Sequence, residues 1–306
     1  MSATIDQASL QTISVRSHPL TIARLGVLPF FIFAGLFLII PTLYLVVGAF
    51  QDADGNLTLS NLAHIFSNEK ILEAYWISIK ISLASAIGGA ILGFFVAHAI
   101  VMGGLPGWLR PAITTFSGVA SNFAGVPLAF AFIATIGPQG LITIFLRNGV
   151  DIGGEHLALD LRAAGFNILS FWGLTLTYLY FQIPLMVLIL TPALDGLKRE
   201  WREATATLGG SAVDFWRYVG LPVLWPSLMG ATLLLFANSF GAIATAYALT
   251  GSSLNIITIQ HYAQIRGDVL HDQNLGYAMA LGMIIITGGS NAVYIWLRHR
   301  SERWLR

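Results

Sequence analysis

The 306 residues are 56% hydrophobic and only 10% charged, against about 25% charged in soluble domains, and the mean hydropathy is +0.73. Several apolar runs exceed the roughly 18 residues that suggest a bilayer span, so the chain reads as a polytopic membrane protein and not a soluble enzyme. The absence of cysteine excludes a disulfide-stapled secreted module and a thiolate metal site, and a net charge of +1 says less than where the charges sit.

Residues 1–24 are polar, carry no small-residue cleavage site and are expected to form a cytoplasmic tail. Six apolar segments follow, near Leu25–Phe50, Ala74–Val101, Ala112–Ile136, Leu169–Ala193, Pro226–Leu249 and Gly276–Leu297. Each can cross a hydrocarbon layer about 30 Å thick as a tilted helix. Continuous apolar runs favour helices over the short alternating strands of a barrel. The expected fold class is all-α, with six transmembrane helices. No internal repeat is visible in parallel or inverted register, which weighs against a secondary transporter built from inverted halves.

Between the first two spans, Asp52 and Asp54 stand at the spacing of a calcium loop. Gly55 is misplaced for an EF-hand and no glutamate closes the loop, so a simple turn is the preferred reading. Lys80 is the one charge well inside a span; it lies a turn from Trp76 and is expected to snorkel outward. Ser85, Gly89, Gly93 and Ala97 place small residues at every fourth position, the pattern of a helix-packing seam. Pro41, Pro127 and Pro184 are expected to kink their helices. Between the third and fourth spans, Pro138–Arg147 should form a short helix on the outer face.

The basic residues are unevenly divided. Eleven of the 16 fall on one side: Arg16, Arg24, Arg110, Lys198, Arg199, Arg202, Arg217, Arg298, Arg300, Arg303 and Arg306. Lys70, Arg147, Arg162 and Arg266 are the four on the other. The positive-inside rule then puts both termini in the cytoplasm, as an even number of spans requires.

The loop from Glu203 to Pro222 reads EATATLGGSAVDFWRYVGLP. Asp195–Thr207 contains good helix formers, Gly209 and Gly210 stop them, Ser211 can cap a second short helix, and Pro222 suits the start of the fifth span. A helix–turn–helix lying flat under the membrane is expected, with Trp201, Phe215 and Trp216 at headgroup level. The loop resembles the signature of permease subunits of binding-protein-dependent ABC importers, of the type seen in maltose, methionine and molybdate importers. That signature is Glu-Ala-Ala, three residues, Gly, nine residues, Ile, one residue, Leu-Pro. Here it is carried by Glu203, Ala204, Thr205, Gly209, Val219, Leu221 and Pro222, with Thr205 and Val219 replacing alanine and isoleucine.

The resemblance extends from about Trp76 to Leu297. It implies a peripheral helix and outer loop at 25–73, a five-helix core at 74–297 containing a coupling loop at 195–222, and a cytoplasmic tail at 298–306. The stretches NFAGVPLAFAF (Asn122–Phe132) and FGAIATAYALTG (Phe240–Gly251) are similar to permeases of the polyamine, phosphonate and ferric-iron group. The resemblance further implies that this chain is non-catalytic and binds no cofactor, while ATP and Mg are used by two partner ATPases. A second permease, related or identical, and a periplasmic solute-binding protein complete the set, in a bacterial inner membrane and with no nucleic acid. Glu203 would meet a basic group of the ATPase, and Gly209, Gly210 and Ser211 would form the bend; the alternative is that Glu203 only stabilises its helix by pairing with Lys198, Arg199 or Arg202.

Asn122, Tyr178, Gln182, Asn238 and Ser239 are the candidates for lining a pathway, or alternatively for interhelical hydrogen bonds. The lysines Lys70, Lys80 and Lys198 follow Glu, Ile and Leu, so none closes a Walker A loop. No nucleophile elbow, His-Glu-x-x-His pair or intramembrane carboxylate occurs, which leaves little for an intramembrane enzyme. A secondary transporter or channel is the runner-up to the importer permease.

Overall fold

A computed structural model of the protein describes residues 20–152, 155–157, 159–266 and 272–302. The expected tail up to residue 19 and the chain end beyond residue 302 lie outside them. The chain divides into two compact units, residues 1–47 and 48–306. Among the described residues six helical stretches are long and apolar enough to cross a membrane, which makes this a multi-pass membrane protein of the expected all-α class.

In the first unit, α1 (Leu20–Ala34) passes through a π turn at Gly35–Ile39 into α2 (Ile40–Gly48). The widened turn precedes Pro41, whose ring cannot donate a helical hydrogen bond and would crowd a regular ladder. The expected distortion at Pro41 thus takes the form of a π bulge, and the Thr42 hydroxyl donates to the Leu38 carbonyl at 2.6 Å.

The second unit begins with a turn at 52–56. Asp52 Oδ1 accepts from the backbone N–H groups of Asp54 and Asn56 at 3.0 and 2.9 Å, and Gly55 takes a φ of +82°. The Asn56 N–H holds the exposed Asp52 carboxyl below its usual range. This is the simple turn preferred over a calcium loop, its carboxylate already occupied by backbone donors.

After α3 (Ser60–Ser67) come α4 (Glu69–Met102), α5 (Leu109–Ala120), α6 (Val126–Ile136) and α7 (Leu141–Asn148), the short helix foreseen after Pro138. A small antiparallel hairpin, β1 (Val150–Ile152) and β2 (Glu155–Leu157), precedes α8 (Phe171–Asp195). Next are α9 (Arg199–Thr207), α10 (Ala212–Phe215), a π turn at Trp216–Gly220, α11 (Leu221–Phe240), α12 (Ile243–Thr250), α13 (Ile257–Arg266) and α14 (Gln273–Glu302). The last helix therefore continues beyond Leu297 into the stretch expected to be a tail.

The centre of this unit is the parallel pair α4 and α8. A Cβ on Gly89 would stand 2.7 Å from that of Gln182, and one on Gly93 2.5 Å from that of Met186. Ser85, Gly89, Gly93 and Ala97 are all buried, so the foreseen small-residue ladder is the surface on which α8 lies. Tyr75 ties α4 to α14 by donating to the Met279 carbonyl, and Arg110 pairs with Asp195, joining the start of α5 to the end of α8. The ammonium of Lys80 sits 4.8 Å from the Trp76 ring centre, one turn toward the helix end, as snorkelling requires.

Two expected spans are not single helices. The stretch 112–136 breaks at 121–125, and the stretch 226–249 breaks at Gly241–Ala242. In the first, the Asn122 amide donates to the Gly118 carbonyl at 2.8 Å, competing with the backbone ladder. Gly125 then turns at φ +80°, ψ −151°. Pro127 has no N–H to continue a helix and sits in the first turn of α6. It starts a helix and does not kink one.

Candidate functional site

The loop after α8 forms a helical hairpin. Helix formation does not run unbroken from Asp195: α8 ends there, Gly196–Lys198 turn the chain, and α9 starts at Arg199. α9 closes in a Schellman motif, with the Gly210 N–H on the Thr205 carbonyl at 2.9 Å and the Gly209 N–H on the Ala206 carbonyl at 3.0 Å. Gly209 supplies the left-handed residue at φ +79°. Gly210 has a different reason to be glycine: its Cβ would lie 2.7 Å from Thr205 Cγ2. Thr205 itself donates to the Trp201 carbonyl.

Ser211 and Asp214 then form a reciprocal capping box, Ser211 Oγ accepting from the Asp214 N–H and Asp214 Oδ2 from the Ser211 N–H. The chain passes through the π turn, where the half-buried Val219 lies, and enters α11 with Pro222 in its first turn.

The aromatic residues of this hairpin are enclosed to different degrees. Phe215 is buried, Trp201 and Trp216 are half-buried, and Trp216 meets the rings of Phe94 and His98 edge-on at centroid distances of 5.8 and 5.1 Å. Trp216 thereby fastens the hairpin to α4, and Phe215 packs edge-on beside it at 5.8 Å. What the hairpin does present is Leu208 at 88% and Val213 at 72% exposure, one on each side of the glycine bend. No periodic signal pointed to them, since each stands alone among small and polar residues.

Ala204 is exposed, and the Glu203 carboxylate meets Arg199 Nε at 3.1 Å with both side chains mostly in solvent. Such a surface pair is worth well under about 1 kcal/mol and leaves Glu203 available to another cation.

The second candidate region is the pair of breaks, which meet. The Gly125 N–H donates to Thr245 Oγ1 at 2.7 Å, bridging the start of α6 to α12. Tyr178 donates to the Ala242 carbonyl at 2.9 Å, and Gln182 Nε2 to the Leu235 carbonyl at 2.9 Å. Ser239 donates to carbonyls of its own helix, Leu235 and Phe236, at 3.1 Å, and lies 3.4 Å from that of Ser82 on α4.

Of the five polar residues singled out, Tyr178, Gln182 and Ser239 are therefore enclosed and donate to backbone carbonyls, Gln182 with its Oε1 unpaired, whereas Asn238 and Asn122 are exposed, the latter with its amide on the Gly118 carbonyl. The exposed residues at the first break are Asn122, Phe123, Ala124 and Val126, a mixed and uncharged set. The peptide groups freed there lie where a membrane helix tolerates irregularity only if protein or water covers it. Among the described residues no group of three His, Asp or Glu side chains could hold a metal ion.

Six long apolar helical stretches among the described residues, two interrupted spans and a capped helical hairpin are the arrangement that the resemblance to ABC-importer permeases implies. Comparison with known proteins agrees, although no family model matches the sequence. The chain is 25% identical over 211 residues to the probable sulfate transport system permease protein of Nephroselmis olivacea, covering 69% of each chain. It is 22% identical over 256 residues to the spermidine/putrescine transport system permease protein PotC of Haemophilus influenzae, covering 82% of this chain and 88% of that one. In fold it is similar to a chain of a bacterial alginate ABC transporter solved with an alginate pentasaccharide-bound periplasmic protein. The TM-score is 0.65 at 16% identity, over 93% of this chain and 94% of that one. The resemblance to ABC-importer permeases is thus borne out in sequence and in fold, with a polyamine-permease likeness among the relatives.

Proposed function

We propose that the chain is one half of the translocation pathway of an ATP-driven importer, with the α9–α10 hairpin as the element that couples it to a cytoplasmic ATPase. The observation that carries this reading is the hairpin itself. It is capped on both sides of its bend, fastened to α4 through Trp216, and offers two exposed apolar knobs and an exposed carboxylate. A rigid protrusion of this kind transmits displacement, whereas a loose loop would absorb it.

Two ATPases using ATP and Mg, a second permease and a periplasmic binding protein are the partners this reading needs, and both termini lie in the cytoplasm of a bacterial inner membrane. The solute is a small polar molecule handed over by the binding protein. Sulfate and polyamine permeases among the relatives, and the phosphonate and iron importers of the resembling group, bound its class. Asn122 and Asn238, one at the first break and one a turn before the second, are the side chains that meet it.

Glu203→Lys opposes the cation expected on the ATPase, and such a like-charge contact costs several kcal/mol. Gly209→Val strains the left-handed bend. Both variants should reach the membrane at normal levels, because no apolar span is altered, yet lose ATPase association or substrate-stimulated hydrolysis. Wild-type transport by both would overturn the coupling assignment. Reporter fusions at Leu62, Glu155 and Ile265 should read as periplasmic and one at Thr205 as cytoplasmic; the opposite result at Thr205 would invert the topology.

A further inference from the structure

An apolar groove runs between the C-terminal half of α4 and the N-terminal half of α11. It has a volume of about 340 Å³ and is walled by Ile87, Ile91 and Phe95 of α4 and by Leu221, Trp225 and Met229 of α11. These are large side chains left in the open: Phe95 is 62% and Trp225 54% exposed. The one hydroxyl in the lining, on Thr232, is spent on its own helix, donating to the Leu228 carbonyl at 2.7 Å. The Trp225 indole N–H is the one other O–H or N–H side-chain donor in the lining.

The groove also points away from the polar breaks. Trp225 and Asn238 are separated by about 140° around α11 at 3.6 residues per turn, so a solute passing Asn238 does not see it. Its floor toward α9 is closed by the edge-on contacts of Trp216 with Phe94 and His98.

The rim at that end is basic and aromatic. Arg217 and Tyr218 precede Leu221 by one turn, both exposed, with the guanidinium 5.5 Å from the Tyr218 ring centre. Arg202, also exposed, reaches across from α9 to within 3.9 Å of Met102 Sδ and 5.7 Å of the Phe215 ring centre. Both cations are free of carboxylate partners among the ion pairs of the described residues. An apolar slot at hydrocarbon depth, ending in tyrosine, tryptophan and two unneutralised arginines, has the polarity profile of a phospholipid, tails to head.

We propose that the α4–α11 groove is a binding site for an anionic phospholipid of the α9-side leaflet, one acyl chain lying along Ile91 and Trp225 and the phosphate-bearing headgroup held by Arg217 and Arg202. The lipid would cover an apolar face beside the hairpin anchor, so its occupancy bears on how firmly that anchor is seated. The inference goes beyond the transport reading and depends only on the groove lying in the membrane.

The test uses the full-length chain, with whatever partner chains co-purify, in phosphatidylcholine vesicles containing increasing fractions of brominated phosphatidylglycerol or brominated phosphatidylcholine. Bromine quenches nearby indoles, and the contribution of Trp225 is the part of the quenching that Trp225→Phe removes. That part should reach half-maximum at a several-fold lower fraction of the anionic lipid. Arg217→Gln, a surface change that leaves the helices intact, should weaken the anionic preference about fivefold. Ala90→Phe, which fills the groove, should remove the Trp225 contribution for both lipids. Equal quenching by the two lipids, or no effect of Arg217→Gln, would overturn the headgroup site. A Trp225 that neither lipid quenches, together with a Met229→Cys variant that cross-links to another chain, would show that a protein helix covers the groove, and the proposal would fail.

Discussion

The α4–α8 pair and the α5–α6 and α11–α12 pairs are drawn from the same apolar residues, yet they behave as opposite kinds of membrane structure. Along α4 and α8 the helices run unbroken and approach so closely that two glycines of α4 have no room for a methyl group. At the breaks the backbone leaves helical geometry and is held across elements by the Gly125 N–H on Thr245 Oγ1 and the Tyr178 hydroxyl on the Ala242 carbonyl. In lipid there is no hydrophobic drive between helices, so close van der Waals contact has to hold the bundle, and the seam supplies it. The helices flanking the breaks bury Leu128, Ala129, Ala246 and Leu249 in a cluster of their own, while Asn122 and Asn238 stay exposed. A transporter needs both: a part that does not yield and a part whose peptide groups can exchange partners.

The contrast can be broken most severely in the seam. Gly93→Leu puts a side chain where even a Cβ meets Met186 Cβ at 2.5 Å and the Ile183 carbonyl at 2.9 Å, and overpacking of this kind costs about 3 kcal/mol or more. The variant should yield little folded protein in detergent, read as a large fall in the unfolding temperature. Gly125→Val comes next. It forces a branched residue to φ +80°, ψ −151°, a region essentially reserved for glycine and worth about 1–3 kcal/mol of strain. The protein should fold, melt at a lower temperature and transport poorly, a loss of function out of proportion to the loss of stability.

Thr245→Val sharpens the comparison by removing only the acceptor for the Gly125 N–H. About 1–2 kcal/mol of stability should be lost, and hydrogen exchange should rise at 121–126 while α4 and α8 stay protected. The smallest effect on stability is expected from Asn238→Ala, within about 0.5 kcal/mol, because the side chain is exposed. Its transport rate should nevertheless change. If Asn238→Ala destabilises the protein as much as Thr245→Val does, the open face of the breaks is a packing surface and not a pathway.

Much of this was legible in the residues. The hairpin followed from local chemistry: Gly209 for a left-handed residue, Ser211 for a cap, Pro222 for a first turn, each acting on its immediate neighbours. The seam followed from a four-residue period that projects onto one helix face. The breaks were hidden because hydropathy averaged over a window sees Ala112–Ile136 as one apolar run, and the glycine, asparagine and proline that interrupt it are too few to lower the mean. The burial of Phe215 and Trp216 was hidden for another reason. An aromatic residue beside a membrane loop suits a headgroup or a protein groove equally well, and only the position of α4 settles which.

By itself, then, the sequence determined what depends on composition and on neighbours a few residues apart: membrane residence, six spans, the capped hairpin and the small-residue face of α4. Tertiary structure alone decided which polar side chains are spent inside the bundle. Tyr178, Gln182 and Ser239 read from the sequence like Asn122 and Asn238, but the first three find carbonyl acceptors within the bundle and the other two are left exposed. That choice is made by contacts across tens of residues, such as the 64 separating Tyr178 from Ala242, and in a medium without water an unpaired polar group takes whichever partner the assembled helices bring within reach.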